Sequence, residues 1–556
     1  MSEQREQWQT TAGFIMAAVG SAVGLGNIWR FSYVTYENGG GAFLVPYLLA
    51  LFIVGIPLLL LEFGIGHYMK ASAPLSMLRI DRRFQWLGWW SVGFTMFGIL
   101  IYYCVVIAWC LNFIIFAVYQ PWVGMAGGAD FFFFGEFLGS KSHPEDSLSG
   151  PFDLTGPQLT VVVSLAVVWA INGVIVGRGL RAGVEPVIRV FIPLLVVLMI
   201  GLVVWSLFLP GAGQGLKWYL EPEWTKLGDW RVWVAAISQI FFTLSLGFGI
   251  MIAYASYLPE RSHITRNALI TALADSGFAV FAGVAVFATL GFMAQAQGVG
   301  VDEVVTSGIG LAFVSYPQAI SELPYLSSVF GVLFFTALAI AGLSSSISLI
   351  QAFVSALSDK YDLDRAKTVG TLCTIGFLLG LVFTTGAGVS WLDIVDHFLT
   401  SYGLVLVGLL EALIVGWVFG GERLGTHIEE AGEFRFSAHY STFMRLLMTA
   451  ALALTWFGLQ QAESGLGPFL ARLFVLLSIA GVWLQRSWLD YSLKVIIPVV
   501  LLVLIDQALM EELSAPYGGY PAAAVVGIGA GWLVATLLLA VVIDLHSWRT
   551  AESPKK

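Results

Sequence analysis

Long apolar runs alternate with short polar, glycine- or proline-bearing breaks over almost the whole chain. A helix of about 20 apolar residues crosses a bilayer core. About fourteen runs reach that length: 11–36, 41–69, 86–119, 158–177, 186–208, 232–257, 264–297, 326–358, 367–385, 392–420, 442–460, 467–485, 488–512 and 520–545. The pattern predicts an all-α integral membrane protein with 12 to 14 transmembrane helices. Two of the breaks read as structured: 120–157, carrying FFFFGEFLG, and 299–325, carrying GIGLAFVSYPQAI. The second is apolar but interrupted by Pro317 and glycines, which predicts a short helical hairpin over an outer vestibule.

Composition agrees. The 556 residues are 58% hydrophobic and 11% charged, too few polar groups to cover a soluble surface. The net charge of −9 says little about partners. No basic stripe, zinc-ligand spacing or RNA-binding signature is present, so no nucleic acid is expected and the lipid bilayer is the partner. Basic residues cluster on alternate loops: Lys70, Arg79, Arg82 and Arg83, then Arg178 and Arg181, Arg261 and Arg266, Lys360, Arg365 and Lys367, Arg423 and Arg435. The opposite loops hold little beyond Lys141, Lys217, Lys226 and Arg231. The asymmetry puts both termini in the cytoplasm. The start, MSEQREQWQTT, does not read as a signal peptide. Cys104, Cys110 and Cys373 all lie in apolar runs and no N-x-S/T sequon occurs, which suits a bacterial inner (plasma) membrane. There is no H-E-x-x-H, G-x-S-x-G or P-loop, so an enzyme is not expected.

Two runs break helix rules at their middles. The first contains GSAVGLGN at 20–27 and the sixth FFTLSLGFG at 241–249. Close helix packing explains one such run, since Gly20 and Gly24 form GxxxG. A glycine-interrupted pair at matching positions of two halves points instead to an inverted-repeat transporter with its site at the midplane. Unwound backbone there offers carbonyls to a cation and N–H groups to a carboxylate. Asn27, Thr243, Ser245, Asp275, Ser344 and Ser345 add hard oxygens that suit a small alkali cation. The bland alternative is that these hydroxyls bond their own helix backbone. Charge inside a span costs about 2.5–3.5 kcal/mol on insertion scales, so Arg30, Glu62, Asp275 and Asp396 need partners or a function.

Those residues sit in longer motifs: REQW at 5–8, GSAVGLGNIWRF at 20–31, ENGGGAF at 37–43, SQIFFTLSLGFG at 238–249 and YASY at 254–257. Over roughly residues 5–420 the chain resembles the neurotransmitter:sodium symporter family, closest to its bacterial amino-acid members of leucine-transporter type. The resemblance implies a leucine-transporter-like fold with two inverted five-helix repeats. It divides the chain into a transport core at 1–420 (repeats at about 1–210 and 230–420) and extra C-terminal spans at 421–556. Both 442–460 and 488–512 resemble the family's eleventh span, which leaves the identity of the added pair open.

The resemblance also implies a site. Sodium would be held first by Ala22, Asn27, Thr243 and Asp275 with the substrate carboxylate, and second by the carbonyls of Gly20, Val23 and Ala341 with the hydroxyls of Ser344 and Ser345. The substrate carboxylate would meet the N–H groups of Leu25 and Gly26 and the Tyr103 hydroxyl. Its amino group would meet Ala22, Phe242, Thr243 and Ser245. Its side chain would lie among Ile99, Tyr103, Phe242, Ser245, Phe248, Ser345 and Leu349, with Tyr103 and Phe242 as a lid. Arg30 and Asp396 would pair as an outer gate, and Arg5 and Asp359 as an inner one near Trp8 and Tyr257. The implied function is sodium-coupled symport of a neutral, hydrophobic amino acid by alternating access, with two sodium ions. An amino-acid sensor without turnover is the alternative. Chloride is not expected: Asp275 stands where bacterial members carry Asn, and Ala279 where many carry Glu and chloride-dependent ones Ser. Gly24, where amine carriers of the family place Asp, leaves room for the substrate's own carboxylate. Oligomeric state is not set by any of these residues.

Overall fold

The computed structural model describes residues 6–140, 150–154, 156–304, 308–361, 363–432 and 488–546, with isolated positions between 433 and 487. The described residues are helical and contain no β-strand beyond one isolated bridge, Gly40 to Pro222. The first span is two pieces, α1 (Thr11–Ala22) and α2 (Leu25–Glu37), bent by 67°. Then come α3 (Gly41–Met69), α4 (Arg82–Tyr119), α5 (Leu159–Gly177) and α6 (Leu180–Leu207). The sixth span is also two pieces, α7 (Trp230–Thr243) and α8 (Ile250–Ser256). It is followed by α9 (Ile264–Gln297), α10 (Ser327–Lys360), α11 (Arg365–Thr384) and α12 (Gly388–Ala431). The chain closes with α13 (Trp488–Gly519) and α14 (Ala522–Leu545). Twelve of the fourteen predicted spans therefore have a counterpart; those at 442–460 and 467–485 fall on residues largely outside the description.

Burial sorts the helices. α4 packs along α10, which also meets α1, α5, α6 and α8, while α3 and α9 pack on each other and on α8 and α1 respectively. The most apolar stretch of α10 is 89% buried, whereas those of α5, α6 and α11 are 33% buried and that of α14 is 22%. The poorly buried helices are as apolar as the buried ones, which is what a lipid-facing ring requires. One helix outruns its apolar pattern: α12 continues past 420 to Ala431 as the polar stretch GERLGTHIEEA. Leu424 and Ile428 keep it docked, because they fill the space beside Gly64 of α3.

The outer loops are built as the apolar patterns predict. Val301–Val304, Leu311–Ser315 and Tyr316–Ser321 are short helical pieces. Phe313 from this hairpin stacks on Phe133 of the FFFF segment at 5.2 Å and meets Trp29 of α2 at 6.0 Å. The three cysteines are buried and free.

Candidate functional site

The two breaks face each other. α1 stops because Val23 and Gly24 are extended (ψ 93° and −168°), and Gly24 N–H finds its acceptor in Asn27 Oδ1 at 2.9 Å. Gly24 is required by space: a Cβ there would stand 2.8 Å from Tyr103 Oη and 3.0 Å from Ser345 Oγ. Gly20, by contrast, packs on Ile192 of α6, so the close-packing reading holds for that glycine. The second break places Ser245, Gly247 and Gly249 at φ +53°, +76° and +67°, a left-handed run that glycine tolerates best. Side chains hold it open. Glu62 Oε1 of α3 accepts from Gly247 N at 2.7 Å, while Ser91 Oγ and Thr95 Oγ1 of α4 donate to the carbonyls of Gly247 and Phe248 at 2.8 and 3.2 Å. This is the reason Glu62 sits inside a span.

Between the breaks lies a pocket lined by Ser21, Ala22, Gly24, Gly26, Asn27, Ile99, Tyr103, Phe242, Thr243, Ser245, Phe248, Ile250, Ser345 and Leu349. Of the expected substrate residues, only Leu25 is not in the wall; its backbone still takes part, since Leu25 N donates to Tyr103 Oη at 3.2 Å. Ser21 and Ile250 are lining residues the motifs did not single out. Ser21 contributes its carbonyl, which accepts from Ser245 Oγ at 3.2 Å and Ser345 Oγ at 3.1 Å.

The expected first cation set comes together. Asp275 is fully buried and accepts from Asn27 Nδ2 at 2.7 Å and from Thr243 Oγ1 at 3.0 Å. The Asn27 amide turns its nitrogen, not its oxygen, toward the acid, because Oδ1 is engaged by Gly24 N–H. A cation would be met by Asn27 oxygen only after that amide turned over. Beside this group Tyr47 donates to Ser276 Oγ at 3.1 Å, and Ala279 is buried. In the expected second set, Ser344 Oγ donates to Ala341 O at 2.8 Å, and Ser345 Oγ bridges to Ser21 of α1. Its hydroxyls thus bond helix carbonyls, and Ser345 also ties α10 to the end of α1.

The gates differ from expectation. Arg30 and Asp396 form no direct ion pair in the described structure. The Arg30 guanidinium carbon lies 4.5 Å over the Phe242 ring, a half-buried cation–π contact, and Asp396 Oδ1 accepts from Tyr102 Oη at 2.5 Å. At the other end Arg5 is outside the described residues, and Asp359 Oδ2 accepts from Ser72 N at 2.7 Å. Trp8 seals that end: Nε1 donates to Tyr254 O at 2.9 Å, its backbone N to Tyr257 O at 3.1 Å, and its ring meets Tyr254 edge-on at 5.3 Å. Tyr257 in turn lies 2.6 Å from Ser355 Oγ of α10. The end marked by Trp8 is therefore closed, while the carboxylate and guanidinium at the opposite end stand apart.

Comparison with known proteins gives the same picture. The sequence profile of the Sodium:neurotransmitter symporter family matches residues 5–127 and 132–465. The chain is 46% identical over 432 residues to an uncharacterized sodium-dependent transporter of Methanocaldococcus jannaschii, covering 78% of this chain and 86% of that one. It is 32% identical over 480 residues to the sodium- and chloride-dependent neutral and basic amino acid transporter B(0+) of Mus musculus, covering 77% and 74%. Among solved structures, MhsT in complex with L-phenylalanine matches with a TM-score of 0.67 at 32% identity, over 91% of this chain and 100% of that one.

Proposed function

This chain belongs to the sodium:neurotransmitter symporter family, whose members are transporters and not enzymes, and we propose that it carries a neutral, hydrophobic α-amino acid with two sodium ions by alternating access. The single observation that supports the substrate class is the wall at the α1–α2 break. Gly24 contributes no side chain, Leu25 N–H and the Tyr103 hydroxyl converge there, and the rest of the pocket is largely apolar. A carboxylate has donors at the break, and a hydrocarbon side chain has Ile99, Phe242, Phe248, Ile250 and Leu349. The matched solved structure holds L-phenylalanine, which supports an amino acid as cargo; a large aromatic side chain would fit here with Phe248 turned aside.

The first sodium rests on Asp275, Thr243, Asn27 and the Ala22 carbonyl. The second rests on the carbonyls of Gly20, Val23 and Ala341 with Ser344 and Ser345. Asp275 supplies the negative charge at the first site, so transport runs without chloride. The core is residues 1–420, its repeats meet at the two breaks, and both termini are cytoplasmic in the plasma membrane, as the basic-loop asymmetry supports. Two sodium ions with a zwitterion move two charges, each worth about 2.3 kcal/mol per 100 mV.

The test is uptake of labelled amino acids by proteoliposomes containing the purified chain, with and without an inward sodium gradient. Sodium-driven accumulation of neutral amino acids is the expected result. Binding without uptake, or tight binding of a decarboxylated amine that neutral amino acids do not displace, overturns the reading.

A further inference from the structure

Two buried side chains on α9, Asn267 and Thr271, have no partner among the described residues, whereas the buried asparagines Asn27, Asn112 and Asn172 all do. Asn267 and Thr271 are fully enclosed, and neither Asn267 Oδ1, Asn267 Nδ2 nor Thr271 Oγ1 is bonded within the described structure. Inside helices these residue types have a default: they bond a carbonyl one turn earlier. Asn38, Asn112 and Asn172 do so at 2.7, 2.9 and 3.0 Å, and Thr289 on α9 itself does so at 2.8 Å. Asn267 and Thr271 decline that default. A buried amide or hydroxyl left unbonded is costly, so these groups serve something other than the protein backbone.

Their position says what. Asn267, Thr271 and Asp275 follow at four-residue steps, which places them on adjoining parts of one helix face. At 1.5 Å per residue, Thr271 is about 6 Å and Asn267 about 12 Å from Asp275, toward the first turn of α9. That end begins after the Arg261-bearing loop, the cytoplasmic side by charge. The same helix packs against α1, α2 and α3, so the file lies within the group of helices that carries the first break.

We propose that Asn267 and Thr271 form a way-station for sodium between its first site and the cytoplasm, their amide and hydroxyl oxygens replacing part of the ion's water shell in transit. Hard, neutral oxygens suit that role: they bind an alkali ion well enough to admit it and, lacking charge, too weakly to trap it. The inference rests on the sodium-symport reading above.

The test uses shape-matched apolar variants of the full chain, Thr271→Val and Asn267→Leu, in proteoliposomes. Removing unbonded buried polar groups does not disrupt packing, so thermal stability should match or exceed that of the parent. Equilibrium binding of labelled sodium should be unchanged. Net sodium-driven uptake and labelled sodium entry should slow about tenfold, equivalent to about 1.4 kcal/mol on the barrier. Amino-acid exchange with saturating sodium on both sides does not require sodium to leave, and should keep its parental rate. Thr271→Ser, which retains the hydroxyl, should restore net uptake. Equal slowing of exchange and net uptake, unaltered net uptake, or loss of sodium affinity would each overturn the way-station. A parent protein that binds no sodium would overturn the symport reading itself.

Discussion

Gly24→Ala isolates the contribution of one methyl group at the α1–α2 break. Gly24 has φ −117°, a conformation any residue adopts, so the substitution adds no backbone strain. Its whole effect is spatial: the new Cβ would be 2.8 Å from Tyr103 Oη and 3.0 Å from Ser345 Oγ, both inside normal contact distance. Tyr103 is nearly buried and its ring is enclosed, so relief comes from displacing the hydroxyl away from Leu25 N–H. A substrate carboxylate then loses one donor. Hydrogen bonds to charged groups contribute about 1.5–3 kcal/mol, which corresponds to roughly 10- to 150-fold in Kd. Equilibrium binding of labelled amino acid at saturating sodium measures this, with a thermal melt to check folding. The matched control is Gly277→Ala on α9, where a Cβ meets nothing within 4 Å and binding should equal that of the parent. If Gly24→Ala bound amino acid with parental affinity, the carboxylate would not lie at this break.

Three further outcomes follow from the site. Ser345→Ala removes a proposed ligand of the second sodium site and the 3.1 Å tie to Ser21; sodium titration of amino-acid binding should shift to higher concentrations, by about tenfold for one lost hydrogen-bond-sized contact. Asp275→Asn removes the carboxyl beside Asn27 and Thr243, and with it the proposed charge. Sodium-dependent binding compared in chloride and in gluconate should be equal for the parent and should weaken, or become anion-dependent, in the variant; a parent that fails in gluconate refutes the charge assignment. Asp396→Asn gives the Tyr102 hydroxyl a weaker acceptor than the carboxylate it now donates to, and removes the anion proposed to meet Arg30 on closure. Proteoliposome uptake should fall more than sodium affinity does, and normal uptake would reject Asp396 as part of the outer gate.

Much of this was legible in the sequence, for definite reasons. Span length is a property of the bilayer, so apolar runs located twelve described spans, the ends differing most at α12, which runs on from 420 to Ala431. The breaks were legible because glycine clusters are expensive inside helices, and Gly24, Gly247 and Gly249 do occupy non-helical backbone. What sequence withheld were partners. Glu62 stood out as a buried acid, yet nothing along the chain tied it to Gly247. Asn27 carries an oxygen and a nitrogen on one group, and only the Gly24 contact decides which faces Asp275. Ser21 entered the pocket through its carbonyl, which every residue possesses and no motif marks. The polar end of α12 escaped because it docks with two apolar side chains, Leu424 and Ile428, too few to register as a periodic run.

The two breaks are not equivalent as mechanical parts. At the second, Gly247 has both its backbone groups fastened, one to Glu62 on α3 and one to Ser91 on α4, with Thr95 on the next carbonyl. None of those fasteners is an expected ligand of substrate or sodium. At the first, the fasteners are Asn27, Ser245 and Ser345, which hold Gly24 N–H and Ser21 O. All three double as expected contacts for the cargo. The fasteners of the first joint are thus expected cargo contacts, whereas the second joint, although it carries Thr243 and Ser245, has further fasteners that are not. The inner half of the first span, α1, is fastened through residues that the cargo itself engages, and what it carries at its far end is the Trp8 seal. With those contacts engaged as proposed, loading is expected to reach the closed end along α1, a lever whose pivot is set by its own passenger.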